Sequence, residues 1–368
     1  MNNRIKIITA TIIFALILAA VSLTCFLKPE TAFSTGERRP LAEKPSLSAE
    51  TVFSGEFMSG FEEYTVDQFP FRDKLRTVKA LFSTDILKKK DNNGLFTAEG
   101  HISKIEYPQN DEMLKLAAEK FNFLYDTYMK DKDMNIYLSI VPDKNYFLAE
   151  KNGYLSLDYQ KLTDDFKTMV PYMQYIDILP LLSLDDYYYT DSHWRQENIT
   201  DVAQHLAKKM GTDLSAEYTV NILEIPFNGV YLGQSALPLS SDTIKYLTSE
   251  IIKDCTVTYY DSGLPEIRDM YDMEKATGKD PYEMFLSGTS PLITIENPNS
   301  LTDKELILFR DSFGSSIAPL LAEGYKKITV VDIRYLQSNF LGNFIEFNNQ
   351  DVLFLYSTTL LNNSMALR

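Results

Sequence analysis

Two short stretches of this sequence carry residue types that can perform acid–base and nucleophilic chemistry together. The first is Tyr187-Tyr-Tyr-Thr-Asp191-Ser-His193-Trp194, which holds one of the three histidines of the chain. A carboxylate two residues before an imidazole on a loop can bring both groups to one point, where the acid fixes the imidazole tautomer and stabilises the imidazolium. Asp-x-His pairs also arise by chance. The alternative interpretation is that His193 only satisfies a loop carbonyl.

The second stretch is Leu306-Ile-Leu-Phe-Arg-Asp-Ser312-Phe-Gly-Ser315-Ser, an apolar strand pattern that leads into Asp-Ser and then into a helix pattern. Open α/β sheets present ligand-binding groups at the carboxyl ends of their strands. A serine at a helix N-terminus lies near free N–H groups and the positive end of the helix dipole, both of which favour an oxyanion. The alternative is that Ser312 or Ser315 simply caps the helix.

Together the two stretches predict a Ser-His-Asp site with Ser312 as nucleophile, His193 as general base and Asp191 as the acid that orients His193. Triads occur in several chain orders, so separation in sequence is no obstacle. His101 and His205 are poorer bases, because His101 lacks a paired acid and His205 lies off the apolar face of its helix. We expect no cofactor and no metal, since no second imidazole lies within evident reach.

The elements that position these residues alternate between strand and helix patterns. Helices are predicted at 111–130 (behind Asn110 as N-cap), 198–210 and 315–323, and strands at 135–141, 175–179, 306–309, 328–332 and 351–356. This alternation predicts an α/β fold with a parallel sheet flanked by helices. Residues 212–299 are less regular and are interpreted as an insertion or cap.

The N-terminal segment predicts export. Residues 7–27 form an uncharged apolar run of the length that crosses a bilayer as a helix, and Arg4 and Lys6 before it favour a cytoplasmic N-terminus. We predict an uncleaved transmembrane anchor over residues 1–28, a stalk over 29–50 that is rich in Pro, Ser, Thr and charge, and one extracytoplasmic domain over 51–368. A cleaved signal peptide is the alternative to the anchor.

Charge and cysteine content exclude several classes of function. The net charge of −15 repels phosphate backbones and anionic headgroups, so nucleic acid is not an expected partner. The two cysteines, Cys25 in the apolar run and Cys255, rule out a disulfide framework and a cysteine-based zinc site.

At Asp191-Ser-His193-Trp194 the sequence resembles the DHHW family of bacterial exported proteins, with Ser192 where that family often has its first histidine. Further stretches support the resemblance in the same order along the chain: Asp67-Gln-Phe-Pro-Phe-Arg72, Pro142-Asp-Lys-Asn145, Tyr282-Glu-Met-Phe-Leu-Ser-Gly288, Asp311-Ser312 through Pro319, and Val331-Asp332-Ile-Arg334-Tyr335. The DHHW family is similar to the alginate O-acetylation proteins of the SGNH-hydrolase-like superfamily. There an Asp-x-His pair also precedes the nucleophilic serine.

The resemblance implies an SGNH-hydrolase-like fold and acetyl-ester chemistry on an exported polysaccharide, as an O-acetyltransferase or an esterase. It also implies a membrane-bound O-acyltransferase partner that delivers acetyl groups. A non-catalytic scaffold for polysaccharide assembly is the alternative. Asn145 and Arg334 are candidate substrate-binding residues, although Arg334 can equally pair with Asp332. Gly288 is a candidate oxyanion-hole donor or a turn glycine, and Arg310 replaces the glycine that related enzymes usually have before Asp-Ser.

Overall fold

The computed structural model describes residues 3–368. Its α-helices are α1 (Asn3–Leu27), α2 (Ala49–Ser54), α3 (Glu56–Asp67), α4 (Arg72–Leu81), α5 (Asp111–Leu124), α6 (Asn145–Leu148), α7 (Tyr159–Met169), α8 (Thr200–Lys209), α9 (Val230–Ser235), α10 (Glu250–Asp254), α11 (Met273–Ala276), α12 (Phe313–Leu321) and α13 (Thr358–Leu361). Its strands are β1 (Phe33–Ser34), β2 (Arg39–Pro40), β3 (Leu95–Ala98), β4 (His101–Lys104), β5 (Asn135–Val141), β6 (Gln174–Tyr175), β7 (Thr219–Phe227), β8 (Asp242–Thr248), β9 (Thr256–Tyr259), β10 (Glu266–Ile267), β11 (Leu292–Glu296), β12 (Glu305–Arg310), β13 (Lys327–Val331) and β14 (Asp351–Ser357). Two π-helical turns, Phe82–Ile86 and Tyr125–Met129, continue α4 and α5.

The central element is an eight-stranded sheet in the order β10-β9-β11-β13-β12-β14-β5-β6. Strands β13, β12, β14, β5 and β6 pair in parallel, whereas β10, β9 and β11 extend the sheet beyond β13 with antiparallel pairs. The predicted α/β fold with a mostly parallel sheet is therefore confirmed, and the antiparallel extension is the feature that the alternation of patterns did not reveal.

Both faces of the sheet are covered by helices, which explains the continuous apolar runs of the inner strands. In β12, Leu306 and Leu308 point into a core cluster that includes apolar residues of α8 and α12. Ile307 and Phe309 point to the other face, into a cluster with α5 and α7. The two-residue period of a strand divides one short run between two cores.

The range 212–299, interpreted from sequence as an insertion or cap, contains elements of two kinds. Strands β7 and β8 form a separate antiparallel hairpin with a register irregularity near Pro226. Strands β9, β10 and β11 lie in the same range but belong to the central sheet. Their short lengths and intervening loops hide the periodicity that identifies a strand.

The chain divides into two compact units, one of Met1–Asn92 with Leu232–Pro238 and one of Asn93–Tyr231 with Leu239–Arg368. In the first, α1 is long and apolar enough to span a membrane, a property that signal sequences near an N-terminus share. Residues 29–50, the predicted stalk, contain the β1–β2 pair. Arg39 on β2 forms a two-pronged ion pair with Asp67, which lowers the pKa of that carboxyl to about 2. The domain boundaries inferred from sequence stay predictions.

Candidate active site

Ser312 lies where β12 gives way to α12, at the carboxyl edge of the parallel part of the sheet. The preceding Asp311 fixes this turn with its carboxylate, which accepts the N–H of Phe313 at 3.0 Å and the N–H of Ser357 at 2.8 Å. Ser357 is the last residue of the neighbouring strand β14. The start of the helix is thus tied to two adjacent strand ends, and Ser312 has a defined position.

The second component is a narrow loop closed by a bridge between Tyr187 and Trp194 and by a hydrogen bond from the N–H of Tyr188 to the carbonyl of His193 at 3.1 Å. The indole N–H of Trp194 donates to the hydroxyl of Ser316 on α12 at 2.8 Å. Trp194 is fully buried, so this contact docks the loop on the same helix that follows Ser312.

The structure brings Asp191, His193 and Ser312 together in one hydrogen-bonded chain. The Nε2 atom of His193 lies 2.7 Å from Oγ of Ser312, and its Nδ1 atom lies 2.6 Å from Oδ1 of Asp191. Asp191 is fully buried and His193 nearly so, while Ser312 is partly exposed. This is the relative geometry of a nucleophile, a general base and an orienting acid.

Aromatic rings hold the imidazole in its plane. The ring of Tyr282 stacks on His193 with centroids 3.9 Å apart and planes 9° apart, and Phe313 approaches at 5.3 Å. The hydroxyl of Tyr282 donates to Ser316 at 2.8 Å. Burial raises the pKa of Tyr282, so the phenol stays protonated. Tyr282 belongs to one of the stretches that carry the family resemblance, but the sequence alone did not indicate that it packs on His193.

Three successive main-chain N–H groups support the loop behind Asp191. The N–H of Gly229 donates to the hydroxyl of Thr190 at 3.0 Å, that of Val230 to Oδ2 of Asp191 at 2.8 Å, and that of Tyr231 to the carbonyl of Thr190 at 3.1 Å. The buried carboxylate of Asp242 also accepts the N–H and the hydroxyl of Thr190. Both oxygens of Asp191 therefore have a fixed donor.

A buried lysine lies beneath the same loop. The ammonium of Lys144 donates to the carbonyls of Tyr188 at 2.9 Å and Tyr189 at 3.2 Å, and it faces the ring of Tyr231 at 5.3 Å. Burial lowers the pKa of Lys144 to about 7, against the opposing attraction of Asp191 and other nearby carboxylates. Lys144 lies in the stretch Pro142-Asp-Lys-Asn145 that carries part of the family resemblance, but no local pattern in the sequence indicates that its side chain reaches this loop.

A main-chain donor that could stabilise an oxyanion lies at Ser312 itself. Among the residues that the structure describes, the main-chain N–H of Ser312 has no acceptor, and it lies at the positive end of the α12 dipole. The N–H of Gly288 instead donates to the carbonyl of Phe285 at 3.2 Å, and Gly288 adopts φ +68°. In this conformation Gly288 is a turn glycine whose N–H is already engaged.

The residues suggested as substrate contacts have structural partners. The Nε and Nη2 atoms of Arg334 donate to the carboxylate of Asp332 at 2.9 and 2.6 Å, the pairing considered from sequence. Arg310 is fully buried and joins the same carboxylate at 3.2 Å and the carbonyl of Gly288 at 3.1 Å. Asn145 is fully buried and donates to the carbonyl of Leu155 at 3.3 Å.

Other candidate groups lie outside the hydrogen-bonded series Asp191–His193–Ser312. Tyr187 and Tyr188 are fully buried, whereas Tyr189 is 43% exposed. His101 is buried and stacks on Tyr189 with its Nδ1 atom near the carbonyl of Glu99. Within residues 3–368 no group of three or more His, Cys, Asp and Glu side chains is arranged to hold a metal ion.

The comparisons with known proteins that find a match are those with solved structures. No protein-family model and no curated protein sequence matches the chain. Its structure is similar to that of a DHHW family protein from Eubacterium siraeum, with 20% identity, a TM-score of 0.54, and coverage of 75% of this chain and 95% of that one. It is also similar to Bacillus cereus PatB1, solved with a sulfonyl adduct, with 20% identity, a TM-score of 0.59, and coverage of 73% and 95%. The O-acetyltransferase domain of Pseudomonas putida AlgJ matches at 13% identity with a TM-score of 0.43, over 73% of this chain and 92% of that one.

The chain therefore has an α/β fold of the SGNH-hydrolase-like kind, with Ser312 at the carboxyl end of a parallel strand. The resemblance to DHHW proteins that the sequence motifs predicted is confirmed as a likeness of fold.

Proposed function

We propose that this protein is an exported acyltransferase or esterase that handles acetyl groups of a cell-surface polysaccharide through an acetyl-serine at Ser312. The observation that supports it is the buried chain Asp191–His193–Ser312, with 2.6 and 2.7 Å between successive heteroatoms. The choice of acetyl groups and polysaccharide rests on the likeness of the sequence motifs to DHHW and alginate O-acetylation proteins.

In the proposed first step, Nε2 of His193 takes the hydroxyl proton of Ser312 while Oγ attacks the carbonyl carbon of an acetyl ester or thioester. The negative charge on the carbonyl oxygen is stabilised by the N–H of Ser312. When the tetrahedral intermediate collapses, the bond to the leaving group breaks, and His193 returns the proton to that group. Asp191 stabilises the imidazolium in between.

In the second step, a sugar hydroxyl gives its proton to His193 and attacks the acetyl-serine. The ester to Ser312 breaks, the acetyl group passes to the sugar, and the proton returns to Oγ. Water in place of the sugar makes the same site an esterase. The apolar helix α1 would keep the chain at the membrane, where a membrane-bound acyltransferase can supply acetyl groups.

The test is hydrolysis of a chromogenic acetyl ester by the full chain in detergent, with intact mass recorded alongside. Wild type should turn over or retain one acetyl group, and Ser312→Ala and His193→Ala should do neither. Ser315→Ala is the matched control, because Ser315 is a buried serine on the same helix outside the chain of contacts. A sulfonyl fluoride should likewise label wild type and Ser315→Ala but neither Ser312→Ala nor His193→Ala.

Two results would contradict the proposal. Equal turnover in wild type and Ser312→Ala would place the nucleophile elsewhere. A folded wild type without turnover, acetyl adduct or sulfonyl labelling would favour the non-catalytic scaffold.

A further inference from the structure

The helix that follows the α3–α4 corner presents an apolar face to solvent. Five apolar residues recur here at spacings of four, three, four and four residues: Phe71, Leu75, Val78, Phe82 and Ile86. This spacing places them on one side of α4 and of the π-helical turn that continues it. Each of the five is between 48% and 71% exposed. We call this set the apolar face of α4.

Lysines border the apolar face. Residues 72–90 contain seven basic and two acidic side chains, a formal net charge of +5 within a chain of net charge −15. Arg72 and Arg76 pair with Glu37 at 2.6 and 3.2 Å. The exposed lysines of the segment are Lys74, Lys79, Lys88, Lys89 and Lys90. On a helical projection Lys74 and Lys79 lie on opposite sides of the apolar face, and the other three follow it.

The end of α1 contacts the turn that precedes α4. Lys28, the first residue after α1, donates from its ammonium to the carbonyl of Gln68 at 3.3 Å, four residues before α4 begins. The N–H and carbonyl of Thr31 also bond to the amide side chain of Gln68, at 3.0 and 2.9 Å. The end of α1, the helix that is long and apolar enough to span a bilayer, therefore lies within hydrogen-bond distance of the turn that precedes α4.

We propose that the apolar face of α4 and its lysines form a binding site for the surface of a bilayer that contains anionic lipid. Phe71, Val78 and Phe82 enter the boundary between headgroups and acyl chains, and the lysines contact lipid phosphates. The proposal goes beyond the acyl-transfer function and does not depend on it, but it requires α1 to remain in the membrane. A second copy of the chain is a poorer occupant, because two segments of charge +5 repel one another.

The test uses the full chain reconstituted through α1 into phosphatidylcholine vesicles with brominated acyl chains, with and without phosphatidylglycerol. Phe82→Trp places a fluorophore on the apolar face, and Asp73→Trp places one at an exposed position on the opposite side of α4. The single native tryptophan, Trp194, is fully buried and gives a common background. Bromine quenching of the Phe82→Trp emission should exceed that of Asp73→Trp roughly twofold or more in anionic vesicles.

A charge variant then tests the lipid class. Replacing Lys74, Lys79, Lys88 and Lys89 by Gln in the Phe82→Trp background should reduce quenching in anionic vesicles to the level seen in neutral ones. Equal quenching of Phe82→Trp and Asp73→Trp overturns the proposal. Quenching of Phe82→Trp that is the same in neutral and anionic vesicles overturns the assignment of anionic lipid. A change in Phe82→Trp emission that depends on protein concentration but not on bromination assigns the face to a second copy instead.

Discussion

The α-carbon of Gly229 packs against the main chain of Thr190 so closely that a methyl group on it would lie 2.3 Å from the carbonyl carbon and oxygen of Thr190. The same methyl group would lie 2.4 Å from the nitrogen of Asp191. All of these neighbours are backbone atoms, which cannot move aside as a flexible side chain can. The position of the Asp191 loop is therefore fixed by a residue far away in the sequence, at a site where only glycine fits.

We predict that Gly229→Ala displaces this loop and lowers both stability and activity. Overpacking of a rigid contact costs about 1–3 kcal/mol, and a shift of Asp191 should also reduce kcat for acetyl-ester hydrolysis. Thermal unfolding and initial rates measure the two effects. Gly36→Ala is the control, because a methyl group there would meet only Gly233 at an ordinary 3.8 Å. Full activity in Gly229→Ala would contradict this account of the loop.

Asp191→Asn should leave a folded protein with a strongly reduced kcat. An amide cannot accept the Nδ1–H of His193 through its NH2 group and stabilises an imidazolium poorly, so a loss of about 10⁴-fold is expected by analogy with other triads. Circular dichroism confirms the fold, and ester turnover gives kcat. A variant that keeps more than a tenth of the wild-type rate would show that Asp191 does not orient the base.

Tyr282 offers a test of the stacked ring separately from its hydroxyl. Tyr282→Phe keeps the ring against His193 and removes only the hydrogen bond to Ser316, so it should cost about 0.5–1.5 kcal/mol of stability with little change in kcat. Tyr282→Leu removes the flat surface and should lower kcat well beyond the loss in Tyr282→Phe. The comparison is made by denaturant unfolding and ester hydrolysis, and equal rates in the two variants would refute a positioning role for the ring.

Lys144 should make stability depend on pH. Its pKa is about 7 in the folded protein and 10.5 ordinarily, so between these values the unfolded chain binds a proton that the folded protein does not. The free energy of unfolding therefore rises with pH across this window. Lys144→Met lacks this contribution. The free energy of unfolding of wild type should therefore rise relative to that of the variant, by at most about 1.4 kcal/mol per pH unit.

Denaturant unfolding at pH 7 and pH 9.5 measures this gain, with Lys208→Met at an exposed position of α8 as control. A stability difference between wild type and Lys144→Met that stays constant with pH would contradict the assignment.

The members of the candidate triad could be found from sequence because each lies in a local pattern. Asp191 and His193 are two residues apart, and Ser312 follows an unbroken apolar strand at a place where parallel sheets present functional groups. The structure adds the distances between them. Their catalytic roles remain predictions until the variants are measured.

The supporting residues could not be found in this way, because their partners are distant in the chain. Lys144 reaches carbonyls more than forty residues away, and Gly229 meets a loop 39 residues before it. No periodicity encodes such contacts. Arg310 shows the opposite problem, since an arginine in a strand pattern gives no sign that it will be fully buried and paired with Asp332.

The central sheet was predictable where its strands are long, and less so elsewhere. Strand β14 matches its prediction within one residue, whereas β6 has two residues where five were predicted. Strand β11 was missed because its apolar run lies between loops without a neighbouring helix pattern. Pairing with β13 and β9, rather than local sequence, makes it a strand.

The N-terminal unit is built from two separate segments of the chain, Met1–Asn92 and Leu232–Pro238. It therefore cannot be removed by truncating the chain at one position. A fragment that begins at residue 93 would keep Leu232–Pro238 but lose the side chains that bind it, since Arg76 donates to the carbonyl of Gly233 at 3.0 Å and Asn92 to that of Ser235 at 2.8 Å. The segment Leu232–Pro238 directly follows Val230 and Tyr231 in the sequence. The N–H groups of these two residues donate to Asp191 and to the carbonyl of Thr190. Chimeras and expression fragments should therefore exchange both segments together, because a single breakpoint leaves Leu232–Pro238 without its contacts to Arg76 and Asn92.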